Sequence, residues 1–141
     1  MSYKSWLDAH AQKHKLIVDK LEGYLDAQII EYFDFENMLK NEKDFCHLYA
    51  QNKKCHDIEK LNCYLCACPN FRFSDDGAEK ADDKTKYSYC SIDSPKGKLT
   101  TYADAIHQDC SRCVVPHTKK YVTDKFDLNW RNAMSECDLD V

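Results

Sequence analysis

The first forty residues carry apolar side chains at helical intervals. Leu7, Ala11, Val18, Leu21, Leu25, Ile29 and the pair Tyr32–Phe33 recur on one face, and Ile17, Tyr24 and Phe35 broaden it. The opposite face holds Lys13, Lys15, Asp19, Lys20 and Glu22, an ordinary solvated surface. Ser5 is the expected N-cap, with Asp8 three residues on in the place of a capping-box acid. Gly23 either breaks this stretch into two helices or sits inside one long helix. His10 and His14 share a face at i and i+4; with no carboxylate or third ligand beside them, they read as two solvent-facing histidines.

After about residue 41 the helical period is lost. Ser74 to Lys84 is charged and non-periodic and reads as an exposed loop within Phe71 to Tyr89. Its acids lack the alternating oxygen ligands and terminal Glu of a calcium-binding EF-hand. From Lys119 onward Tyr121, Val122, Phe126, Trp130 and Met134 return to near-helical spacing, predicting a short helix that closes over the middle of the chain. The expected organisation is a helical segment at 1–40, a cysteine-rich module at 41–118 and a helix or tail at 119–141. The fold class is α+β, with the irregular zinc-finger-like module stapled by metal.

Composition explains why a staple is needed. Cys46 to His117 holds eight of the nine cysteines but only nine Leu, Ile or Val, whereas the first 39 residues alone hold nine of these aliphatics. So few aliphatics cannot bury enough apolar surface to offset chain entropy unaided, and modules of this kind are held by metals or disulfides. An odd number of cysteines rules out complete pairing within the chain. The amino terminus shows no signal-peptide pattern, and no apolar run is long enough to span a bilayer, which predicts a cytoplasmic protein with reduced thiols. The formal charge of −4, without a basic block, argues against nucleic acid as a partner.

The candidate chemistry centres on Asn62-Cys63-Tyr64-Leu65-Cys66-Ala67-Cys68-Pro69. Two residues between Cys63 and Cys66 let both sulfurs face one point, as in a metal-binding knuckle. Cys110 and Cys113 repeat the gap, and the two knuckles together would complete a four-cysteine site. The 44 residues from Cys66 to Cys110 exceed a compact zinc ribbon, so a substructure is inserted between them. Cys46, Cys55, Cys68 and Cys90 would then supply a second site, with His56 or His117 able to replace a thiol. On this reading the stretch straddles two metal sites, Cys63 and Cys66 serving one and Cys68 able to serve the other, while the full partition of the ligands stays open. Adjacent residues seldom both ligate one ion; that makes His47 a spectator beside Cys46 and counsels caution over Cys55-His56. His107 reads as a loop residue and Cys137 as an unpaired thiol.

These residues also carry a resemblance. Cys46, Cys55-His56, Asn62-Cys63-Tyr64-Leu65-Cys66-Ala67-Cys68-Pro69, Cys90 and Asp109-Cys110-Ser111-Arg112-Cys113-Val114-Val115-Pro116-His117 are together similar to the cysteine-rich small domain family of bacteria and archaea. That family is described as zinc-finger-like, and the resemblance implies metal binding over residues 46–117. It departs from the family pattern after Cys90, where Ser91-Ile92 stands in place of two glycines, and the loop before Cys90 is longer and more acidic.

Three functions follow from this ligand set. The first is a module with two structural zinc ions, whose helical residues 1–40 dock a protein partner or a second copy. All-protein ligation leaves no open position and marks structural zinc. The second is an iron–sulfur protein, since four thiolates also suit a cluster, although C-x2-C-x-C is not the ferredoxin spacing. The third is a metal-dependent enzyme or carrier with a labile Cys/His site. No HExxH, nucleophile elbow or phosphate loop supports catalysis, so an enzyme is the weaker expectation.

Overall fold

Ser2, not Ser5, caps the first helix. Its hydroxyl accepts from the Ser5 amide and opens α1 (Tyr3–Lys20). The helix starts early because Tyr3 packs edge-on against Phe71 and Phe73, which draws the first turn onto the body of the protein. The computed structural model describes residues 2–77, 79–81, 83–91, 98–102, 104–110 and 112–135. After α1 the chain turns at Gly23, whose φ of +88° lies in the left-handed region, and continues as α2 (Asp26–Tyr32) and α3 (Phe35–Asn41). Gly23 is therefore a break between helices.

The buried face of α1 is Leu7, His10, His14 and Ile17, a stripe at alternating three- and four-residue spacing. This corrects the expectation of solvent-facing histidines: His10 is 4 % exposed and His14 is fully buried. Both rings pack as neutral aromatics. His10 stacks on Trp6 at 5.0 Å and meets Phe45 at 4.6 Å, and His14 lies 4.8 Å from Phe33 and 4.5 Å from Tyr64. Burial is the main cause that lowers His10 to about 4, with Lys13 adding to it. Burial also lowers His14 to about 3, with His10 adding to this and a hydrogen bond to the Tyr64 carbonyl opposing it.

One buried cluster joins the three stretches of the chain. Ile17, Ile30, Phe33 and Met38 from the helices meet Leu61, Tyr64 and Leu65 from the cysteine-rich stretch and Val122 from the C-terminal part. The apolar face of residues 1–40 is thus largely used within the chain, leaving Trp6, Leu16, Tyr24 and Leu25 exposed. No helix among the described residues is long and apolar enough to cross a membrane.

The stretch read as an exposed loop contains strands. β1 (Phe71–Phe73) pairs antiparallel with β4 (Ser88–Cys90). A second sheet has the order β2 (Glu79–Ala81), β3 (Lys84–Lys86), β6 (Ala105–Asp109), β5 (Lys98–Tyr102), with β3 and β6 parallel and the other pairs antiparallel. Charge hid these strands, because they are three to five residues long and mostly half-exposed, so backbone pairing outweighs apolar alternation. His107 lies on β6, stacked over Phe73 and Tyr87, and is not a loop residue.

The C-terminal part forms two short helices. Thr118 caps α4 (Lys119–Lys125) and Asn129 caps α5 (Trp130–Ala133). Trp130 and Met134 pack with Leu7, and Arg131 pairs with Asp8, so α5 lies along α1. Cys137 lies outside the described residues. With helices and two small sheets among the described residues, the fold is α+β.

Candidate metal centre

Asn62 holds the first knuckle in place. An isolated bridge links Asp34 and Asn62; the Phe35 amide donates to the Leu61 carbonyl at 2.8 Å, and the Cys63 amide donates to the Phe33 carbonyl at 2.8 Å. The Asn62 side-chain amide donates to the Ile30 carbonyl and to Asp34, while its oxygen accepts from the Tyr64 amide. The knuckle itself is a tight turn, closed by the Cys66 amide donating to the Cys63 carbonyl at 3.3 Å. Ala67 and Cys68 then adopt φ of +84° and +65°, left-handed values that cost on the order of 1 kcal/mol each for residues other than glycine. This bend turns the chain between Cys66 and Cys68.

Cys55, His56 and His117 form the tightest donor group. Their ligand atoms all lie within 4.8 Å of one another, and among the described residues no other set of three such donors is this close. His117 closes the turn Val115–His117 that follows the second knuckle. Its Nδ1 donates to the Asn62 carbonyl at 2.9 Å, which leaves the lone pair on Nε2 facing Cys55 Sγ at 3.5 Å. His56 is arranged in the opposite sense: Nε2 donates to the Cys110 carbonyl at 3.1 Å, and Nδ1 faces the same sulfur at 3.1 Å. Donors around a tetrahedral zinc, with Zn–S near 2.3 Å and Zn–N near 2.0–2.1 Å, stand about 3.6 Å apart. The two sulfur-to-nitrogen separations, 3.5 and 3.1 Å, are close to this, and each imidazole has the carbonyl partner that metal-bound histidines use to fix tautomer and orientation. Burial lowers His117, with His56 adding to this and the Asn62 hydrogen bond opposing it, so the ring is neutral and able to ligate. The caution over the adjacent pair does not hold, since Cys55 and His56 turn their donor atoms to the same place.

The remaining thiols fall into two neighbourhoods. Cys66 is pushed up first by burial, then by Cys63, Cys55 and Cys46. Burial raises Cys63 to about 12; Cys55, Cys46 and Asp34 add to the rise, and the nearby Tyr49 hydroxyl opposes it. Burial and Cys46 raise Cys55 in the same way. Cys46 sits at the start of the turn His47–Gln51, which carries Tyr49, so the hydroxyl of Tyr49 reaches toward this group. His47 is the first residue of that turn and is not in the Cys55 group.

The second neighbourhood is built on the strands. Phe71 pairs with Cys90, and the Ser91 amide donates to the Asn70 carbonyl at 2.9 Å, placing Cys90 beside the end of the first knuckle stretch. The Tyr87 amide donates to the Ile106 carbonyl at 3.0 Å and the Gln108 amide to Ser88 Oγ at 2.5 Å. Running alongside β6 in this way carries Cys90 toward Cys110. The Cys113 amide donates to the Cys110 carbonyl at 3.0 Å, closing the second knuckle. Burial raises Cys110 to about 12, with Cys90, Cys68 and Cys113 next in effect, and burial raises Cys68 to about 11, with Cys90 and Cys113 adding to it. Thiolates that raise one another in this way repel when ionised, and a divalent cation reverses the sign of the interaction.

The two knuckles therefore stand in different neighbourhoods, Cys63 and Cys66 with Cys46 and Cys55, Cys110 and Cys113 with Cys68 and Cys90. Sequence spacing gave no role to Tyr49 or to the carbonyls of Asn62 and Cys110, which are backbone or side-chain partners with no sequence signature. None of the protein-family models, curated proteins or solved structures compared with this chain matches it.

Proposed function

We propose that the protein is a metal-binding module in which two structural zinc ions hold residues 41–118 in shape. One site draws on Cys46, Cys55, Cys63 and Cys66, with His56 and His117 at its edge. The other draws on Cys68, Cys90, Cys110 and Cys113. The observation that carries this reading is the pair of imidazoles around Cys55. Each ring uses one nitrogen on a backbone carbonyl and turns the other toward the same sulfur. A histidine kept only for packing would have no reason to present its lone pair to a thiol that a second imidazole already faces.

Zinc suits these donors because it accepts Cys and His together and imposes no geometry of its own beyond a tetrahedral preference. Four protein donors leave no open position, so such sites contribute folding free energy and not catalysis. The exposed Leu16, Tyr24 and Leu25 are what residues 1–40 offer to a protein partner or a second copy. The second neighbourhood, made of thiols alone, would also suit an iron–sulfur cluster.

Elemental analysis and a visible spectrum of anaerobically purified protein distinguish these readings. We expect a colourless protein with at least two zinc ions per chain and little iron. A brown protein with iron, sulfide and broad charge-transfer absorption would replace zinc by a cluster, and a folded chain with neither metal would overturn the proposal.

A further inference from the structure

The first neighbourhood contains more donors than one tetrahedral ion can use. Cys46, Cys55, Cys63 and Cys66 already make four, and His56 Nδ1 and His117 Nε2 add two more. Among the described residues the second neighbourhood has four thiols and no imidazole, with the Asp109 carboxylate near Cys110. The group opens to solvent at Cys55, which is exposed, and at His56, which is half-exposed, while His117 closes it from behind at 4 % exposure. Both imidazoles are nevertheless held by backbone carbonyls, at 3.1 and 2.9 Å, so neither is a loose surface side chain. Cys55 belongs to both sets of donors. Its sulfur faces the two ring nitrogens, and the same thiol is within electrostatic reach of Cys46, Cys63 and Cys66.

We propose that Cys55, His56 and His117 form a third, open metal site, which shares the Cys55 sulfur with the ion held by Cys46, Cys63 and Cys66. A thiolate carries enough electron density to bridge two zinc ions, and bridging is what lets six donors satisfy two tetrahedral ions with one position left over. The inner ion takes Cys46, Cys63, Cys66 and the bridge. The outer ion takes the bridge, His56 Nδ1 and His117 Nε2, and its fourth position falls to water. Three protein ligands and a water are the arrangement of zinc that exchanges or reacts, in contrast to the closed sites beneath it. The exposure of Cys55 gives that outer ion a direct path to solvent and to an incoming thiol or carboxylate chelator. The outer site is therefore the place at which this protein loads and releases metal, and its ligand is a borderline-soft divalent cation of the zinc class.

This inference rests on the reading of the two cysteine groups as zinc sites, and its test separates the two. Zinc-saturated wild-type protein and a His56→Ala variant would be titrated with nitrilotriacetate, with released zinc measured by a colorimetric indicator and fold followed by near-ultraviolet circular dichroism. The expected wild-type result is three zinc ions per chain, one of which leaves at low chelator concentration with no change in the spectrum. The His56→Ala variant should hold two, neither of them labile. Cobalt in the labile position should show thiolate charge-transfer absorption well below that of the two closed sites, because it has a single sulfur donor. That optical measurement on wild-type protein decides the matter should the variant fold poorly. Two tightly held zinc ions in both proteins would overturn the open site while leaving the closed ones standing. No zinc in the wild type would overturn both.

Discussion

Replacing His10 by Phe should flatten the acid side of the stability profile. His10 is 4 % exposed and its ring is held near a pKa of about 4, far below the ordinary value of 6.5, mainly by burial and secondarily by Lys13. A depressed histidine is neutral in the folded state, while the unfolded chain takes up a proton as pH falls through 6.5. Stability is therefore full above the unfolded pKa and is lost between about pH 6.5 and the folded value. At pH 4.5, two units below 6.5, the loss is roughly 2.7 kcal/mol for this ring at about 1.36 kcal/mol per unit. His14, fully buried and lowered to about 3, carries a loss of the same order. His10→Phe keeps the aromatic packing against Trp6 and Phe45 and sacrifices no hydrogen bond, because Nε2 is buried without a partner. The zinc-saturated variant should thus be about as stable as wild type at pH 7.5 and more stable by about 2–3 kcal/mol at pH 4.5. Urea unfolding followed by tryptophan fluorescence measures this directly, since Trp6 and Trp130 both lie against His10. Protonation of metal ligands contributes equally to both proteins and cancels in the comparison. Equal slopes for variant and wild type between pH 7.5 and 4.5 would refute the argument.

Other substitutions probe the knuckles. Asn62→Ala removes the donors to Ile30 and Asp34 and the acceptor for the Tyr64 amide in a buried setting; a loss of about 3 kcal/mol in chemical denaturation is expected, and less than 1 kcal/mol would show that the bridge holds without it. Cys63→Ser and Cys110→Ser should each remove zinc from a different site. Native mass spectrometry of the double variant should therefore show both losses, whereas a site shared by the knuckles would lose the same ion in each case. His14→Phe should leave the zinc content unchanged but lower stability at pH 7.5 by about 1 kcal/mol, because the bond to the Tyr64 carbonyl is lost.

The outer elements of the fold were legible because their patterns are long. The stripe from Leu7 to Phe35 repeats often enough to mark helices, and Gly23 marks where they part. The same stripe misleads at His10 and His14, whose polarity suggests solvent while their spacing, three residues after Leu7 and three before Ile17, places them inside. The strands from Phe71 to Asp109 were not legible, being too short for alternation to be read, and parallel pairing of β3 with β6 is a non-local contact that no window detects. The cysteines stood out as candidate donors from their spacing alone. Their grouping was not, because it depends on the left-handed turn at Ala67 and Cys68 and on the register that sets Phe71 against Cys90. Cys55-His56 shows the same limit: adjacency in sequence argues against shared ligation, and only the carbonyl of Cys110 turns the ring back toward its neighbour's sulfur.

In this reading metal supplies the cohesion that Cys46 to His117 lacks in aliphatic side chains. Thermal unfolding before and after removal of metal by a strong chelator tests it, with hydrogen exchange to localise the change. Without metal, residues 46–117 should lose protection and the melting temperature should fall steeply. Residues 1–40 should follow, because Ile17, Ile30 and Phe33 share one core with Tyr64 and Leu65. A metal-free chain with the melting temperature and exchange pattern of the untreated protein would contradict that role of the metal.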